Sequence, residues 1–142
     1  MLNEEGRGEM RAGDISTLKP IELAGNAKDT VTEILASLPP RVFLKEQDDR
    51  TGQDKAAELA FALSQTSSGT GELITAIRHS LTYRLSINAH ELKFPMAMLE
   101  ELNRIGPKWQ PHLLAATTVF LQGSNSVPNP AVKRGITELA KL

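Results

Sequence analysis

Apolar residues recur along this chain mostly at spacings of three and four, the period of an α-helix, in runs separated by Pro, Gly and polar clusters. The first run spans Asn26 to Leu38. Asn26 is suited to capping, because its side-chain oxygen can accept from backbone N–H groups the first turn leaves unpaired, and Asp29 suits the positive end of the helix dipole. Val31, Ile34, Leu35 and Leu38 share one face, and Pro39-Pro40 ends the run because neither residue can donate. Arg41 to Lys45 (RVFLK) is a short apolar run, readable as a strand or an extended connector, and Gln47 to Asp54 reads as a polar turn.

A second helix is predicted from about Gln53 to Gln65, with Ala56, Leu59, Ala60 and Leu63 as its buried stripe and Phe61 off that stripe. After Ser67–Gly71, a third starts near Thr70 and carries Leu73, Ile74, Ile77 and Leu81. Beyond it the pattern is ambiguous. At helical period Leu85 and Leu92 extend the stripe, whereas Thr82 to Asn88 alternates strictly at period two. No turn residue separates Leu81 from Thr82, which favours a continuous helix. Pro95 is expected in the first turn of a fourth helix with Met98, Leu99, Leu102 and Ile105. Pro111 opens a fifth (HLLAATTVFLQ), apolar on most sides and so expected at the centre. Asn129 and Pro130 launch a last helix with Val132, Ile136, Leu139 and Ala140, in which Gly135 costs about 1 kcal/mol relative to Ala.

Residues 1–25 lack such periodicity and are broken by Gly6, Gly8, Gly13 and Pro20. The expectation is a flexible tail that docks through Ile21 and Leu23, followed by a single helical domain over 26–142. The fold class is therefore mainly α: a compact bundle of five or six helices with at most one or two short strands.

Composition sharpens this picture. The 142 residues are 40% hydrophobic but only 4% aromatic, so the core has to be aliphatic. Absence of cysteine removes disulfides, thiolate metal sites and thiol nucleophiles, and fits a reducing, cytoplasmic setting. No apolar stretch approaches the roughly 20 residues of a membrane span, and the acidic, polar start is unlike a secretory signal. The net charge of −1 conceals an asymmetry: residues 1–77 hold 8 Lys+Arg against 13 Asp+Glu, and residues 78–142 hold 8 against 4.

Candidate chemistry is sparse. His79 and His90 would lie about 16 Å apart on one continuous helix, too far to share an ion, and His112 stands apart from both. Glu100 and Glu101 are adjacent, so on a helix they diverge by about 100° and cannot flank one substrate bond. Ser67–Gly71 places glycines before a helix start, an arrangement able to cradle an anion, but without a Walker-type lysine or a preceding strand. Neither a nucleophile elbow nor a metal-ligand spacing is present. We therefore expect no catalytic residues, no metal and no cofactor, and a non-enzymatic adaptor, inhibitor or regulator that docks on a macromolecule. A protein partner is expected, and the chain leaves homodimerisation open. The candidate anchors are Phe61 and Trp109, the latter held between Pro107 and Pro111.

Two segments also resemble nucleic-acid binders. Ala56 to Arg78 is loosely similar to a helix-turn-helix, though its turn is longer and richer in glycine than that motif uses. Residues 82–122 resemble the ribbon–helix–helix superfamily, with TYRLSIN as ribbon, FPMAMLEELNRIG as first helix and PHLLAATTVFLQ as second. The resemblance implies a dimeric DNA-binding repressor, or an accessory protein of a plasmid or phage. In such a protein Arg84, Ser86 and Asn88 would read bases from the ribbon, and Lys108 and Gln110 would hold phosphate. The linker AHELKFP is longer than that family usually allows.

Overall fold

A computed structural model describes residues 17–39, 51–84 and 89–142. Within them lie six helices: α1 (Ala27–Ser37), α2 (Thr51–Ser64), α3 (Gly69–Tyr83), α4 (Ala89–Glu101), α5 (Gln110–Thr118) and α6 (Pro130–Leu139). No strand occurs among the described residues. A single isolated antiparallel bridge joins Arg84 to Pro128. The fold is thus the helical bundle that the periodicity predicts. Residues 1–16 of the expected tail and the RVFLK run lie outside the described residues. Residues 18–26 run irregularly, with Ile21 and Leu23 packed on the core.

Local chemistry sets several boundaries. Asn26 caps α1 as expected, its Oδ1 accepting from the amides of Lys28 and Asp29 at 2.9 and 3.0 Å. Leu38 then turns to extended backbone ahead of Pro39. Asn129 caps α6 by accepting from the Ala131 amide at 3.0 Å, with Pro130 in the first turn.

The core is aliphatic. Its largest cluster joins Ile34 and Leu38 of α1, Ala56, Leu59, Ala60 and Leu63 of α2, and Leu73 and Ile77 of α3, together with Leu102, Leu114 and Leu121. A second cluster forms on the other side of α2, where Ala57 and Phe61 meet Ala115 of α5, with Leu18 and Val119 against them. Because α2 feeds both clusters, it is the hub, packed on α1, α3 and α5. Helix α5 holds the central place expected of it together with α2, since Leu114 enters the first cluster and Ala115 the second, and it packs on α2, α3 and α4. Buried Thr117 and Thr118 of α5 are tolerated because their hydroxyls donate to the carbonyls of Leu113 and Leu114, at 2.7 and 2.8 Å.

Four boundary expectations are corrected. Helix α2 begins at Thr51, so the end of the predicted polar turn is helical. The helix continues past Leu81 but not as far as Leu85 and Leu92: α3 ends at Tyr83, and Arg84 takes extended backbone with its amide still bonded to the Ser80 carbonyl. Pro95 lies inside α4 rather than in its first turn, because the helix starts six residues earlier, at Ala89. It is fully buried there. Helix α5 stops at Thr118, short of Gln122, and the following chain crosses to α1. There Ser124 donates to the Leu35 carbonyl at 2.8 Å, and a Cβ at Gly123 would collide with the Leu38 carbonyl oxygen. Glycine is required at 123 by that close approach.

Helix α6 stands apart. None of its residues is buried, and among the described helices it packs only on α3.

Candidate functional site

Of the two candidate anchors, Phe61 is not an anchor. It is 7% exposed and fills the second core cluster, because Leu18 and α5 cover the face of α2 that its position off the main stripe suggested was free. Trp109, by contrast, is 47% exposed. It is held rigidly. In the turn between α4 and α5, the Trp109 amide donates to the Gly106 carbonyl at 2.9 Å, and its own carbonyl accepts from the Leu113 amide at 3.0 Å. The indole therefore sits at the start of α5 on backbone fixed from both sides.

Its surroundings form a ladder of rings that the two sequence candidates alone do not reveal. The His112 imidazole lies 5.1 Å from the indole centroid and 4.8 Å from the Phe61 ring, which it meets edge-on. Trp109, His112 and Phe61 thus run from the surface into the second core cluster. The i, i+3 spacing of Trp109 and His112 at a helix start was the available signal. The His112 Nδ1 is buried with no hydrogen-bond partner among the described residues. The exposed Lys108 places its ammonium 5.3 Å from the indole centroid, within cation–π range. A positive charge and half an aromatic face are therefore presented together.

The nucleic-acid candidates scatter. Arg84 is turned inward: its guanidinium donates to the Ser126 carbonyl at 2.7 Å and lies 5.1 Å from the Tyr83 ring. Thr82 and Tyr83, the first two residues of the proposed ribbon, are helical. Ser86 and Asn88 lie outside the described residues. Gln110 is used internally, its side-chain amide donating to the Leu102 carbonyl at 3.1 Å and tying the start of α5 to the turn that follows α4. Only Lys108 remains exposed beside Trp109.

The glycine turn before α3 is explained by packing. A Cβ at Gly69 would overlap the Leu63 carbonyl oxygen, so glycine permits the close α2–α3 crossing. Its amide is bonded to Thr66, through the hydroxyl at 3.1 Å, and Thr70 donates to the Ser64 carbonyl at 2.9 Å. Glu72 in the first turn already places an acid at the positive end. His79 stacks on Tyr83 at 5.3 Å, and among the described residues no three His, Asp or Glu converge on a common point. No helix among the described residues is long and apolar enough to cross a membrane.

The described residues define a compact helical fold with no strand among them. No family model matches the chain, and neither a curated protein nor a solved structure matches it.

Proposed function

We propose that this protein is a non-enzymatic helical module that docks on another protein, with Trp109 as its anchor. One observation carries the reading: the single tryptophan is half exposed on a backbone hydrogen-bonded at both its amide and its carbonyl, with Lys108 over its ring and the tilted His112 ring beside it. A rigid aromatic loses little conformational entropy on binding, and tryptophan in a desolvated pocket is the residue type most enriched among binding hot spots. The complementary surface is an apolar pocket with a carboxylate at its rim, which accepts the indole and pairs with Lys108.

A photo-crosslinking aromatic amino acid placed at position 109 and expressed in the source cells tests this. The expected result is one dominant protein adduct, identified by mass. Its purified form should bind the native chain at least about tenfold more tightly than the Trp109→Ala variant, a difference of ~1.4 kcal/mol. The thermal midpoint of that variant should be unchanged. Absence of an adduct, equal binding by the variant, or a marked fall in its midpoint overturns the reading.

A further inference from the structure

We draw no further inference here: the strongest candidate, the apolar cleft that Leu81, Arg84, Leu92 and Phe120 line where α3, α4 and the chain after α5 meet, carries nothing because it borders residues 85–88, which lie outside the described residues, and nothing in the structure shows what covers it.

Discussion

The guanidinium of Arg84 donates to the backbone carbonyl of Ser126 at 2.7 Å, closing a link between the end of α3 and the segment that leads into α6. Beside it, the Asn129 amide donates to the Tyr83 carbonyl at 2.7 Å, and Arg84 forms its bridge with Pro128. These contacts hold α6 to the body. Arg84→Ala should cost about 1.5–3 kcal/mol, the range for a hydrogen bond to a charged donor, as measured by urea unfolding. Arg84→Lys should recover only part of this, since a single ammonium cannot reproduce the guanidinium geometry. If Arg84 served nucleic acid instead, the alanine variant would keep its urea midpoint.

Phe61 and Trp109, the two rings on either side of His112, should respond unequally to truncation. Phe61→Ala removes a side chain that is 7% exposed from the second core cluster and should destabilise by about 3–5 kcal/mol. Trp109→Ala removes one that is 47% exposed and should change stability by less than about 1 kcal/mol. Thermal unfolding of the two variants side by side reads the difference.

Glycines 69 and 135 offer a second contrasting pair. Gly69→Ala drives a methyl into the Leu63 carbonyl oxygen at the α2–α3 crossing and should destabilise by about 2 kcal/mol or more. Gly135→Ala meets nothing within 4 Å and should stabilise α6 by roughly 0.5–1 kcal/mol. Because α6 packs so lightly, amide hydrogen exchange in that helix is the more sensitive measure.

The Asn26 cap gives a local test of how α1 begins. Asn26→Ala leaves the amides of Lys28 and Asp29 without their side-chain acceptor and should cost about 1 kcal/mol. Asn26→Asp should preserve stability, because a carboxylate accepts the same bonds and suits the positive end of the helix. Urea denaturation of both variants checks this.

The sequence by itself determined the helical class, most of the helices and the main buried stripe. Each of these depends on spacing and capping chemistry that act within a few residues: Asn26 and Asn129 as caps, and Ala56, Leu59, Ala60 and Leu63 on one face. Phe61 shows where this ends. Its place off the stripe was legible, but only Leu18 and α5, distant along the chain, decided that the second face of α2 would also be buried. The same holds for Arg84, whose period-two neighbourhood suggested an outward reader and whose partner at Ser126 lies forty-two residues away. Tertiary structure likewise decided that α5 stops at Thr118, because the chain must cross to the end of α1, and that no described residue buries Ile136 and Leu139 of α6. Periodicity records which side of a helix is apolar, whereas what comes to lie against that side depends on contacts between segments far apart in the chain.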